Sequence, residues 1–393
     1  MQLDIYDKGI ELEEIFEAYY SCRKNKRNTM NALAFEVDYE KKLVELHEEI
    51  NEKRYRIGRS VAFVVENPVK REIFASDFRD RIVHHLIINQ INPYLDKTFI
   101  FDSYACRQGK GTLFGVKRLD KSIRRCSKNY TSDCYILKLD IKGFFMNIDR
   151  SILFENLKTF FLEKYPNLNK KILLRLSHQV IFNEPTRNCI VKGKPSGWNE
   201  IPKDKSLFTT PKGCGLPIGN LTSQVFANFY MNSFDHYVKK ELGIKYYGRY
   251  VDDFFLIHNE REYLKSLVPK ISSFLKKNLG LTLHPKKIYL QHYSKGFKFL
   301  GAFLNPRRIY IAKRTKGNFY SAIQKQNKII EKKNLTEDDF TKFLSSMNSY
   351  LGIMKHYKTF RLRKKTLEKS LNPLWKGRVF VDRKVDKLSF KNL

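Results

Sequence analysis

Apolar residues recur at helical spacing in the first part of the chain and give way to strand-like alternation further on. Ile10, Leu12, Ile15 and Phe16 share one helical face, and Phe35, Leu43, Leu46 and Ile50 share another; the basic turn Arg23-Lys24-Asn25-Lys26-Arg27 separates them. From Val61 the period shortens, so Val61–Val65 and Val69–Ala75 read as strands joined at Glu66-Asn67-Pro68. A further strand, Tyr135–Ile141, sets Leu137, Leu139 and Ile141 on one face and Asp140 on the other, near its end. Asp149 is placed to cap the helix that follows. Residues 183–212, rich in Pro, Gly, Lys and Asn, predict an irregular or β-hairpin insertion. The glycine-rich stretch Gly213–Gln224 then leads into a helix with Val225, Phe226 and Phe229 on its apolar face. Lys245–Arg249 and Phe254–Ile257 flank Tyr250-Val251-Asp252-Asp253, which predicts a hairpin with two carboxylates at its tip. Helical spacing returns over about 261–278, and again after Thr336-Glu337-Asp338-Asp339, a capping box followed by Phe340, Phe343, Leu344, Met347 and Leu351.

Charge adds what periodicity cannot. The 393 residues hold 74 Lys and Arg against 41 Asp and Glu, a formal net charge of +33, and are 14% aromatic. Such an excess implies a polyanionic partner. Nucleic acid is the first reading, because neutralising phosphates gives sequence-independent affinity and aromatic faces stack bases. A membrane is not expected: no basic amphipathic segment stands apart, and no apolar run approaches the roughly 20 residues a bilayer needs. The start Met1-Gln2-Leu3-Asp4-Ile5 lacks a secretory pattern, and the six cysteines are scattered without paired spacing, as in a reduced cytoplasmic protein. The histidines, His84-His85 included, lack metal-ligand spacing.

Taken alone, Asp252 and Asp253 read as readily as two solvated turn residues. Asp140, also at a strand tip, changes that balance. Three carboxylates so placed suit two divalent cations about 4 Å apart, the arrangement that drives in-line phosphoryl transfer in polymerases. At these residues the chain resembles the palm of a reverse transcriptase.

The resemblance extends along the chain in order. Lys70 and Arg71 fall where that family's basic residues grip an incoming triphosphate. Arg79-Asp80-Arg81-Ile82-Val83-His84-His85 resembles its first sequence block, and Arg107-Gln108-Gly109-Lys110-Gly111 resembles its second, implying contacts of Arg107 and Lys110 with template or primer. Phe145, five residues past Asp140, matches the steric gate that excludes a 2′-hydroxyl; Phe144 is the expected core neighbour. The resemblance implies two Mg²⁺ ions, or Mn²⁺ in their place, held by Asp140, Ile141, Asp252 and Asp253. It implies nucleotide contacts at Ile218, Gly219 and Lys287, with Lys286 a rival for Lys287 as proton donor to pyrophosphate. Template or primer contacts follow at Gln224 and Tyr250, and at Phe299 and Gly301 in Gly296-Phe297-Lys298-Phe299-Leu300-Gly301, which resembles the primer-grip hairpin. The implied architecture is α+β, a right-hand polymerase fold. Its parts are an N-terminal helical extension (1–55), fingers (56–132), an antiparallel-sheet palm (133–305) bearing the insertion, and a helical thumb with a basic tail (306–393), where Arg361, Arg363, Lys364 and Lys365 form a basic stripe.

Leu216-Pro217-Ile218-Gly219-Asn220-Leu221-Thr222-Ser223-Gln224 discriminates further. Group II intron and retroviral enzymes usually read Pro-Gln-Gly here, often with Ser-Pro after it; this chain has Ile218 and Ser223-Gln224 instead. In this it resembles the reverse transcriptases of diversity-generating retroelements, bacterial or phage-encoded enzymes. Their resemblance implies cDNA synthesis from a template-repeat RNA, errors concentrated at adenines, and mutagenic retrohoming into a target gene. The implied partners are template RNA, the RNA–cDNA hybrid, deoxynucleotides and a small basic accessory protein, single or oligomeric. An alkyl group in place of a hydrogen-bonding amide removes a polar check on the nucleotide, which accords with lower fidelity. The alternatives are a group II intron enzyme, a retron or defence-type reverse transcriptase, and an RNA-binding scaffold with an inactive polymerase fold.

Overall fold

The computed structural model describes residues 8–24, 29–66, 69–331 and 335–391. Asn25, Lys26 and Arg27 of the basic turn, Asn67-Pro68 and the first residues of the chain lie outside them. In chain order come α1 (Leu12–Arg23), α2 (Met30–Glu36), α3 (Tyr39–Asn51), β1 (Val61–Val65), β2 (Arg71–Ala75), α4 (Phe78–Leu95), α5 (Thr112–Cys126) and β3 (Tyr135–Asp140). Next are α6 (Arg150–Glu163), α7 (Lys170–Phe182), β4 (Ile190–Val191), α8 (Leu221–Tyr230), α9 (Asn232–His236), β5 (Tyr246–Tyr250), β6 (Asp253–His258), α10 (Arg261–Leu279) and β7 (Tyr289–His292). The last third holds β8 (Phe297–Phe299), β9 (Ala302–Asn305), β10 (Arg308–Ile311), α11 (Lys313–Ile330), α12 (Glu337–Met354), α13 (Phe360–Ser370), α14 (Pro373–Arg378), β11 (Val379–Val381) and β12 (Leu388–Phe390).

The described chain forms two compact units, the first taking residues up to Gly109, Leu137–Leu256 and Glu262–Tyr289. A four-stranded sheet in the order β5-β6-β3-β7 underlies the carboxylate-bearing strands. Phe254, Phe255, Leu256 and Ile257 on β6 are all buried, which explains why this strand is continuously apolar rather than alternating. On β3, Leu137 and Leu139 are buried on one face as expected, while the other face buries Ile136 and leaves Lys138 and Asp140 half-exposed. Helix α4 packs on α1, α7 and α8. Helix α10 buries Leu264, Leu267, Ile271, Leu275 and Leu279, a stripe at helical spacing.

The face expected from Phe35 to Ile50 is present but divided between α2 and α3, with Asp38 in the left-handed region between them. Asp149 caps α6, its Oδ1 accepting from the amides of Ser151 and Ile152 at 2.8 and 3.0 Å. The insertion forms short 3₁₀ turns and no hairpin of its own; β4 instead pairs in parallel with β1 as the third strand of the β2-β1-β4 sheet.

The second unit takes Lys110–Ile136, Ile257–Arg261 and Leu290 onward. Strands β8, β9 and β10 form an antiparallel meander, and Phe299 pairs with Ala302 so that Leu300 and Gly301, both at positive φ, make a two-residue turn. Helix α11 packs on α12, α13 and α14 around a core in which Phe343 stacks on Trp375 at 3.8 Å. The capping box of α12 is present: the amide of Asp339 donates to Thr336 Oγ1 at 3.2 Å, and the Thr336 amide donates to Asp339 Oδ2 at 3.1 Å. Arg363 departs from the expected basic stripe. Its guanidinium is buried, donating to Asp386 and to the carbonyl of Val385, while Arg361, Lys364 and Lys365 are exposed.

Candidate active site

Strands β5 and β6 are joined by Val251-Asp252, and Asp253 begins β6. Strand β3, the neighbour of β6, ends at Asp140, so topology brings all three predicted carboxylates to one end of adjacent strands. Ile141, the fourth predicted ligand, has a buried side chain and bridges to Leu283. The amide of His284 donates to the Asp140 carbonyl at 2.8 Å, which lays the segment bearing Lys287 alongside β3. Lys287 Nζ then donates to both carboxylate oxygens of Asp140, at 2.9 and 3.0 Å. Lys286 is exposed. Lys138 pairs with Asp253 at 2.7 Å. Sequence reasoning missed Lys138, although its position two residues before Asp140 puts both on one strand face.

Burial first, and then the charge of Asp140, pushes the Asp252 carboxyl up to about 6. Burial also raises Asp253, against the lowering influence of Lys138. Asp253 Oδ1 is buried without a hydrogen-bond partner. Among the described residues, no three His, Cys, Asp or Glu side chains converge into one ligand set. Two ammonium groups, those of Lys138 and Lys287, offset part of the charge of the predicted carboxylates. The donor set fits a cation: burial and then the charge of Asp140 raise Asp252, and one oxygen of Asp253 is unsatisfied.

Beside this end of the sheet, Phe144 is buried and Phe145 is half-buried. The amide of Leu216 donates to the Phe145 carbonyl at 2.9 Å, and that of Phe74 to the Ile218 carbonyl at 2.8 Å. The glycine-rich loop is thus stitched to β2 on one side and to the Phe145 turn on the other. At Gly219, with φ +129°, a Cβ would lie 2.8 Å from Ile73 Cγ2 and 2.9 Å from the Phe74 carbonyl oxygen, so only glycine allows this approach. Phe145 and Ile218 border one apolar cluster, formed by Ala62, Phe74, Met146 and Leu207, together with Trp198 of the insertion. Lys70 pairs with Glu200 of the insertion at 2.8 Å, while Arg71 is exposed at the start of β2.

A second missed residue is Glu72, 2% exposed on β2. It accepts from Trp198 Nε1 at 2.7 Å, Ser206 Oγ at 2.8 Å and the Leu207 amide at 2.7 Å. Its only signal was that strand periodicity puts Glu72 on the same face as Phe74.

The predicted template and primer residues divide. Gln224 is exposed with its Oε1 3.6 Å from Cys106 Sγ, and Tyr250 is half-buried. Lys110 lies over the Phe114 ring at 5.8 Å, and Gly301 is exposed in its turn. Arg107 is corrected: its side chain is 7% exposed and donates to Asp96 and to the carbonyls of Ile100 and Ser103, so it builds its loop. Phe299 is also corrected, being fully buried, which leaves Lys298 as the exposed residue of β8.

The model of the family described as reverse transcriptase (RNA-dependent DNA polymerase) matches residues 70–304, which contain Asp140, Asp252, Asp253, Lys287 and the glycine-rich loop. No curated protein matches the chain. Solved structures that match in part include apo telomerase from Candida tropicalis truncated from its C-terminal domain, at 16% identity and TM-score 0.47, covering 64% of this chain and 55% of that one. Telomerase from Candida albicans with a fragment of telomeric RNA matches at 12% identity and TM-score 0.47, over 81% of this chain and 56% of that one. The chain thus spans little more than half the length of these structures.

Proposed function

The chain belongs to the reverse transcriptase (RNA-dependent DNA polymerase) family, and on that footing we propose that it copies a template-repeat RNA into cDNA for mutagenic retrohoming. The observation that carries the polymerase reading is the meeting of Asp140, Asp252 and Asp253 at one end of adjacent strands. Asp140, Asp252 and Asp253 would hold the metal ions. Bound Mg²⁺ would lower the pKa of a primer 3′-hydroxyl and neutralise the triphosphate. Lys287, which contacts Asp140 in the unliganded protein, would donate a proton to the departing pyrophosphate. Phe145 closes the volume beneath the sugar, and the exposed cations of the chain neutralise template phosphates.

The retroelement class rests on Leu216-Pro217-Ile218-Gly219 and on Ile218 and Phe145 each packing against one apolar cluster. With alkyl rather than amide character there, base position is governed by packing alone. A small basic accessory protein belongs to this reading, as does a cytoplasmic site of action. The test is to sequence cDNA made on an RNA template by the wild type and by Ile218→Gln. Errors gathered at template adenines, and reduced in the variant, support the reading. Errors spread evenly over all bases, or unchanged by Ile218→Gln, refute it.

A further inference from the structure

Behind the Val251-Asp252 turn lies a charge pair with no part in the chemistry above. Arg249 on β5 and Asp235 on α9 have side chains that are 0% exposed. Arg249 Nε donates to Asp235 Oδ1 at 2.7 Å and Nη2 to Oδ2 at 2.5 Å, a bidentate fork. The Tyr247 hydroxyl adds a third bond to Asp235 Oδ1 at 2.6 Å. Nη2 also reaches the Asn228 carbonyl at 3.2 Å and Ser103 Oγ at 3.4 Å. Its backbone is held as well, the Arg249 amide donating to Asp102 and the Arg249 carbonyl accepting from Tyr104, at 2.9 and 3.0 Å. The remaining arm points at the turn: Nη1 donates to the Val251 carbonyl at 3.0 Å.

That carbonyl belongs to a residue in an unusual state. Val251 has φ +57°, a left-handed conformation that β-branched side chains rarely adopt. Such strain persists only where the surroundings over-determine it. Here the surroundings are a guanidinium fixed at every nitrogen. A buried ion pair seldom stabilises a fold better than apolar residues of the same volume, so stability alone explains this one poorly.

We propose that Arg249, locked by Asp235, is a positioning residue that holds Val251 left-handed and thereby aims the Asp252 carboxylate. This rests on the reading of Asp252 as a reaction-centre residue. Lysine cannot replace the arginine, because one ammonium cannot bind Asp235 bidentately and reach Val251 as well.

The test uses Arg249→Lys, Arg249→Lys with Val251→Gly, and Asp235→Glu, each checked for folding by thermal melting. In Arg249→Lys we expect kcat for nucleotide incorporation to fall about 10- to 100-fold, with the deoxynucleotide KM within about threefold of wild type. Glycine at 251 adopts the left-handed region freely, so the double variant should recover roughly tenfold. A folded lysine variant with wild-type kcat, or a double variant with no recovery, overturns the proposal. If the lysine variant does not fold, Asp235→Glu decides: it keeps both charges but displaces the fork, so kcat should fall, and an unchanged kcat overturns the proposal. If the wild type extends no primer, crystal structures of the folded variants still decide. Val251 leaving the left-handed region supports the assignment, and Val251 remaining there refutes it.

Discussion

Replacing Glu72 with alanine loosens the insertion against β2 without touching a carboxylate of the reaction centre. The carboxylate holds Trp198, Ser206 and Leu207 through bonds of 2.7, 2.8 and 2.7 Å. A hydrogen bond to a charged group contributes about 1.5–3 kcal/mol, so three set an upper bound of roughly 5–9 kcal/mol. The lifted segment regains water, and about 4 kcal/mol on its local opening is the better figure, or roughly a 10³-fold loss of amide protection. Hydrogen exchange across residues 195–207 measures this directly. Because Phe145 and Ile218 border the cluster that Leu207 and Trp198 complete, the deoxynucleotide KM should rise several-fold in the same variant. Glu72→Gln keeps the volume and one acceptor oxygen, and should fall between. Unchanged protection in Glu72→Ala would refute the reasoning, since apolar packing alone would then hold the segment.

Three further outcomes follow from the geometry. His84 is fully buried and held near 3, well below its ordinary value of 6.5, by burial and by His85 and Arg81. Between those values the unfolded chain binds the extra proton, so His84 costs nothing above pH 6.5 and destabilises the fold increasingly as pH falls toward 3. Relative to His84→Gln, the wild type should lose about 2 kcal/mol of unfolding free energy between pH 6.5 and 5, read by denaturant melts; parallel curves contradict this. Phe145→Ala should admit ribonucleotides, lowering the discrimination ratio in single-nucleotide incorporation by about 10- to 100-fold, the value of relieving one steric clash. Lys287→Ala should lower kcat by roughly 10²-fold and Lys286→Ala by far less, with equal effects in presteady-state assays refuting the assignment.

What was legible in the sequence was what depends on short-range pattern. Asp149 and Thr336 cap their helices because capping uses residues two or three positions away. The tip position of Asp252-Asp253 was readable from two flanking β-favouring runs, and the end position of Asp140 from alternation. What escaped depends on distant partners. Glu72 meets residues more than a hundred positions away, and nothing local distinguishes it from a solvated strand residue. Arg107 and Arg363 carry charge that suggests an exposed contact, yet Asp96 and Asp386 draw both into the fold. Phe299 was expected at a primer because its motif is; alternation along β8 turns it inward and leaves Lys298 outward. Lys138 and Lys287 show that the carboxylates are partly neutralised by the chain itself, which no spacing rule would reveal.

The central claim is that Asp252 serves RNA-templated DNA synthesis. It is tested most directly by primer extension on an RNA template with Mg²⁺ and deoxynucleotides, comparing the purified wild type with a folded Asp252→Asn variant. The account predicts extension by the wild type and a loss of about three orders of magnitude or more in the variant, since one charge of the metal-binding set is removed. Extension by Asp252→Asn at the wild-type rate would contradict it.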